Sequence, residues 1–163
     1  MVMKKKEFSA YLKRKDITIE GSTATWELAA QGDIMGLYTG QFKFRCYLTP
    51  TQKLAAGRLY RTLLGDHPTT ALTHEDNMSF TLAQLKYRVI SGPPFWESAI
   101  GLDGIVGDIP DEKILDIIFE AAVASELKYL ATLQQKKTEL IEKAKKSAEK
   151  LLKDEDEEEP EGE

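Results

Sequence analysis

The chain has 163 residues, 42 % of them apolar and 30 % charged, a size and balance that suit one compact domain with its own core. No run of about 18 apolar residues occurs, so no membrane-spanning helix is expected. The basic start (Lys4, Lys5, Lys6) is not followed by an apolar stretch, because Lys13, Arg14 and Lys15 interrupt Phe8, Tyr11 and Leu12, and a secretory signal is not expected either. The net charge of −5 is unevenly spread: residues 154–163 (DEDEEEPEGE) hold eight acidic groups and no basic ones, so the rest of the chain is mildly basic, at +3.

Residues 1–15 form a basic lead-in in which Phe8, Tyr11 and Leu12 have helical spacing. Two β-like runs follow. Asp16–Glu20 alternates Ile17 and Ile19 with polar neighbours, and Thr23–Ala29 follows a Gly21-Ser22 turn, which together predict a hairpin or adjacent strands. Gln31–Gly40 is glycine-rich and reads as a loop. Gln41–Leu48 then alternates cleanly, with Phe42, Phe44, Cys46 and Leu48 on one face and Lys43, Arg45 and Tyr47 on the other, the pattern of a half-buried strand. Thr49, Pro50 and Gln52 spell a capping box with proline at the first helical position, and Leu54, Ala55, Leu59, Leu63 and Leu64 supply an apolar stripe up to a stop at Gly65.

After a loop over Asp66–Leu72, a second helix is predicted from about Glu75 to Ile90, lined by Met78, Leu82, Leu85 and Val89 and ended by Gly92-Pro93-Pro94. Phe95 and Trp96 follow at once, and a glycine-rich bend runs from Gly101 to Gly107. Asp108 is the expected cap of a third helix, which meets no glycine or proline between Asp111 and Lys153. Ile114, Ile117, Ile118, Ala121, Ala122 and Leu130 give its first half a core face. In its second half Leu133, Leu140, Ala144 and Leu151 keep a near-heptad line, while Lys137 and Ser147 occupy the seam between them. The expected organisation is a single α+β domain over residues 1–133, with a small antiparallel sheet of two to four strands packed on helices, a projecting charged helix over 134–153, and an acidic tail over 154–163 too poor in apolar residues to fold alone.

Few residue patterns point to chemistry. His67 and His74 flank a loop with Asp66, Glu75 and Asp76 nearby, but their spacing matches no two-histidine metal motif, and no metal or cofactor is expected. Gly101, Gly104 and Gly107 lack the Lys-Ser/Thr ending of a phosphate loop. Ser79 and His74, five apart on a helix, do not face each other, so no nucleophile–base pair is legible. Cys46, the one cysteine, sits among apolar positions and reads as a buried, inert thiol. With no disulfide possible, the chain suits a reducing compartment such as the cytoplasm. The basic lead-in with Phe8 and Tyr11 is a weak nucleic-acid signal, opposed by the acidic tail. Two features suggest protein binding: the far end of the last helix (Leu133, Leu140, Leu151) and the prolyl turn carrying Phe95 and Trp96, of which Trp96 is expected to be the more exposed, although the favoured reading of both rings is that they plug the domain's own core. Self-association through the helix is one form such binding could take.

The order of elements, with its "LTP" and "PPFW" landmarks, can be compared with known families. A strand "YTGQFKFRCYLTP", a helix "TQKLAAGRLYRTLLG", a helix "FTLAQLKYRVISGPPFW" and a last helix "IPDEKILDIIFEAAVASELKY" that runs into a Lys/Glu-rich end resemble the tail assembly chaperones of tailed bacteriophages over roughly Gly40–Leu130. The resemblance implies a protein without enzymatic activity that binds the tape measure protein, keeps it soluble and helps recruit tail tube subunits. The alternative from a different class is a virion subunit, such as a neck, decoration or tail component, that stays in the particle.

Overall fold

The computed structural model describes residues 12–65 and 73–156. The lead-in carrying Phe8 and Tyr11, the loop carrying His67, and the end of the acidic tail lie outside the described residues. The fold is α+β: a four-stranded antiparallel sheet in sequential order, β1 (Ile17–Glu20), β2 (Thr23–Gln31), β3 (Leu37–Arg45) and β4 (Val89–Ser91). Its helices are α1 (Pro50–Leu64), α2 (His74–Arg88), the short α3 (Pro94–Ala99) and the long α4 (Glu112–Asp156).

One face of the sheet makes the core. Trp26 on β2 stands opposite Phe42 on β3 and Ile17 on β1, and Ala24 stands opposite Phe44. Because side chains alternate across a strand, these residues share a face, and Ile17, Ala24, Leu28, Phe42 and Phe44 are all fully or almost fully buried. The first half of α4 packs on that face with Ile114, Ile118, Ala121 and Ala122. Lys128 on α4 donates to the backbone carbonyls of Arg14 and Ile17, at 2.5 Å for the latter, and fixes the start of β1 to the helix. The alternation read over Gln41–Leu48 holds: Phe42, Phe44, Cys46 and Leu48 are buried, while Lys43 and Tyr47 are exposed. The capping box of α1 is also present, with the Gln52 N–H donating to the Thr49 hydroxyl and the Thr49 N–H donating to the Gln52 side chain.

Helices α1 and α2 form a hairpin beside this core. An aromatic chain links them to α4, with Tyr60 edge-on to Phe80 at 5.8 Å and Phe80 edge-on to Phe119 at 6.0 Å. The Tyr60 hydroxyl donates to the Asp76 carboxylate, and this bond, with burial and the neighbouring charge behind it, raises the phenol above its ordinary range. At the other end of α2, Arg88 bonds to Glu126 of α4 at 2.6 Å and to Gln84 at 3.0 Å.

Four expectations need correction here. The segment over 31–40 is not mainly loop: β3 begins at Leu37, because the Gly32 N–H bonds to the Gly36 carbonyl at 2.6 Å and closes the turn within five residues. Gly40 belongs to the strand and is needed there, since a Cβ at that position would lie 2.3 Å from the Pro93 side chain. Helix α2 stops at Arg88 rather than Ile90. Val89 turns extended (φ −85°, ψ 122°) and pairs with Phe44, so the β-branched residues at the helix end complete the open edge of β3. The stripe expected on α1 holds at Leu64, which is buried, but not at Leu54 and Leu63, which are 64 % and 36 % exposed; Ala56 is the other residue buried. Helix α4 begins at Glu112, so Asp108 lies four residues ahead of it and is not its cap; the residue immediately before the helix, Asp111, turns its buried carboxylate to the β2–β3 hairpin.

Candidate partner-binding surface

Helix α4 has 45 residues and, at 1.5 Å per residue, runs for about 67 Å. Burial ends abruptly along it. Ala131 is 1 % exposed, whereas every residue from Leu133 to Lys153 is exposed. Leu133, Leu140, Ile141, Leu151 and Leu152 lie in that stretch at 45 to 67 % exposure. Both regions expected to bind a protein partner lie among the described residues. The leucines at 133, 140 and 151 are exposed along one helix.

The azimuth of the stripe changes at the same point. The core line of α4 passes through Ile114, Ile118, Ala121 and Ser125. Continued in steps of three and four residues it reaches Lys136, Glu139 and Lys143, and two turns later Lys150. The apolar line of the far half starts about 100° around the helix from it. The face that meets the sheet thus becomes a charged face, and a second apolar face opens beside it.

The aromatic turn takes the core-plugging role favoured for it from the sequence. Pro93 and Pro94 start α3 instead of displaying a loop. Trp96 is 2 % exposed, edge-on to Phe42 at 5.2 Å, which corrects the expectation that it is the more accessible ring. Phe95 is partly buried against the core, edge-on to Tyr38 at 5.0 Å and to Phe42 at 6.2 Å. The reason is the shape of β3: Gly40 admits Pro93 close to the strand, and α3 then carries both rings over Phe42. Trp96 is core, and the turn is a poor anchor for another protein.

An apolar surface that the sequence did not announce lies at the β2–β3 tip. Ile34, Met35 and Leu37 are 67 to 68 % exposed, yet the tip backbone is held. Asp111, itself 2 % exposed, accepts the N–H groups of Ile34 at 2.7 Å and Met35 at 2.9 Å, and the Tyr38 hydroxyl at 2.7 Å. Gly32 packs so tightly against it that a Cβ would fall 2.6 Å from the carboxylate. Burial pushes the Asp111 carboxyl up, but the hydrogen bonds from Met35, Tyr38 and Ile34 outweigh it and leave the group below its ordinary range. Burial, with the bond to Asp111 and its charge, lifts the Tyr38 phenol to about 12. No local signal marks this arrangement, since its partners lie more than seventy residues apart in sequence.

The remaining polar groups are engaged structurally. His74 meets Glu112 at 3.0 Å and joins the starts of α2 and α4. Ser79 is buried on α2 while His74 is exposed, so the two do not meet. The Cys46 thiol is buried, and burial together with the Glu126 charge pushes it up to about 11, well above the range of a reactive thiolate. Among the described residues, no group of three or more His, Cys, Asp or Glu side chains is placed to hold a metal ion, and no helix is long and apolar enough to cross a membrane. A shallow groove of about 320 Å³ runs between Arg14 and α4, lined by Phe119, Val123 and Leu127. Comparison with known proteins returns no match: no protein-family model, curated protein or solved structure is significantly similar to this chain.

Proposed function

We propose that the protein is a binding module rather than an enzyme, and that the far half of α4 is its handle for another protein. One observation carries this reading: an ordered helical stretch of about 30 Å with Leu133, Leu140, Ile141, Leu151 and Leu152 exposed along it. An isolated helix with that many large apolar groups in water is stabilised by covering them, and a second helix is the natural cover. In its finer form the reading follows the resemblance noted above: a tail assembly chaperone that holds the tape measure protein through this helix during assembly and then leaves.

Mass spectrometry of purified virions beside infected-cell lysate tests the finer form. Abundance in the lysate with absence from virions supports a chaperone; stoichiometric presence in virions overturns it in favour of a structural subunit. Co-expression with the tape measure protein tests the handle. The full chain should co-purify with it, and a chain ending at Leu133 should not.

A further inference from the structure

The far half of α4 has a chemical character beyond its exposed leucines. Read as heptads, its seam runs through Leu130, Leu133, Lys137, Leu140, Ala144, Ser147 and Leu151, at alternating steps of three and four. One flank of that seam, the g positions, is lysine at every heptad: Lys136, Lys143 and Lys150. The other flank, the e positions, is Gln134, Ile141 and Ala148 and carries no charge. The glutamates Glu139, Glu142 and Glu149 lie at c and f positions, away from the seam. Between residues 134 and 153 there are seven lysines against three glutamates. The ion pairs among the described residues join Arg14 to Asp16, His74 to Glu112 and Arg88 to Glu126, and none uses a lysine of this row.

We infer that the seam is built for an amphipathic helix of another protein whose own flanks are acidic, with Glu or Asp facing the Lys136–Lys143–Lys150 row and Lys137. A second copy of this chain fits poorly in either direction. A parallel copy sets Lys137 against Lys137 within the seam and gives the lysine row only uncharged e residues to face. An antiparallel copy sets the lysine row against itself. Like charges at these positions select against a pairing, and opposite charges select for it. An acidic partner helix answers both problems at once, because its carboxylates neutralise the row while its apolar residues cover Leu133, Leu140 and Leu151. This inference rests on the reading of the far half as a handle and adds the chemistry of what it holds.

The test uses the full chain and three fluorescent designed peptides. Each is a four-heptad helix with leucine at a and d, carrying Glu, Gln or Lys at every e and g position. By fluorescence anisotropy at low salt, the Glu peptide should bind at least ten-fold more tightly than the Gln peptide. The gap should close as salt rises, since exposed charge pairs are screened. The triple variant Lys136→Glu, Lys143→Glu, Lys150→Glu, exposed at all three sites and so expected to fold, should reverse the order and favour the Lys peptide.

Equal binding of the Glu and Gln peptides, lost in Leu133→Asp/Leu140→Asp, overturns the acidic partner but leaves the handle standing. Binding of none of the peptides by a chain that sediments as a monomer overturns both. A dimer that dissociates in Leu133→Asp/Leu140→Asp assigns the seam to a second copy and overturns the inference. So does a chain that binds the Glu peptide only after residues 157–163 are removed, since the row would then belong to its own acidic end.

Discussion

The two halves of α4 share one backbone and one uninterrupted run of helix-forming residues, yet they do opposite things. From Glu112 to Ala131 the helix is the keystone of the domain, with Ile114, Ile118 and Ala122 at 0 % exposure against the sheet. From Leu133 to Lys153 every residue is exposed. Intrinsic propensity hardly separates the halves, because Leu, Ala, Glu and Lys are all good helix formers. Position around the helix separates them. The line that carries Ile118 and Ala121 becomes Lys136, Lys143 and Lys150, and a lysine ammonium is rarely buried without a partner. The domain therefore ends where its core line turns to lysine, while the apolar residues beyond that point face a new direction.

Substitutions in the two halves should expose this contrast. Ile118→Ala removes a fully buried side chain beneath the sheet and should lower unfolding stability by about 3 kcal/mol in urea titrations. The matched Leu140→Ala should stay within about 0.5 kcal/mol of the parent. Comparable losses at the two positions would erase the distinction. Between these extremes lies the Arg88–Glu126 pair, whose side chains are only 12 % and 22 % exposed. Glu126→Gln should cost about 2 kcal/mol by leaving the Arg88 guanidinium partly buried without its charge partner.

The staple at the head of α4 offers a pH test of the near half. The Asp111 carboxyl lies below its ordinary value in the folded chain. Its contribution is therefore complete above the unfolded carboxyl pKa, about 4, and is lost as pH falls through the folded value. The melting temperature should drop with acid below about pH 4, and in Asp111→Asn that part of the drop should flatten while stability at neutral pH is lower throughout. A parallel acid profile in parent and variant would remove Asp111 from the account. The smallest effect is expected from ending the chain after Leu133. Circular dichroism should show less helix, with a cooperative transition shifted by no more than about 2 °C. Loss of cooperative melting would make the far half core.

Local chemistry was the part of this fold that sequence could reveal. Thr49, Pro50 and Gln52 set a helix start within four residues, and the alternation from Phe42 to Leu48 set a buried strand face, because each signal and its partner lie close along the chain. Signals that depend on distant partners were not legible. Pro93-Pro94-Phe95-Trp96 suits either a displayed turn or a core plug, and Gly40 on β3, which lets Pro93 approach, is what seats Trp96 fully in the core. Asp111 is one of 27 acidic residues, and its role depends on the N–H groups of Ile34 and Met35 brought to it by the hairpin. The exposed Ile34–Leu37 tip was missed for the same reason, since its glycines suggested a loop with no fixed form. For the proposed binding surface, Leu133, Leu140 and Leu151 were readable from heptad spacing, and so was Lys137, which interrupts them.

The most direct test of the divided helix is hydrogen exchange along α4 in the full chain, at concentrations where it sediments as a monomer. The account predicts amides from about Ile114 to Ala131 protected to near the global unfolding limit, and amides beyond Leu133 exchanging faster by several orders of magnitude. Uniform strong protection through Lys153 would contradict it, because the far half would then be held by the domain itself rather than left for a partner.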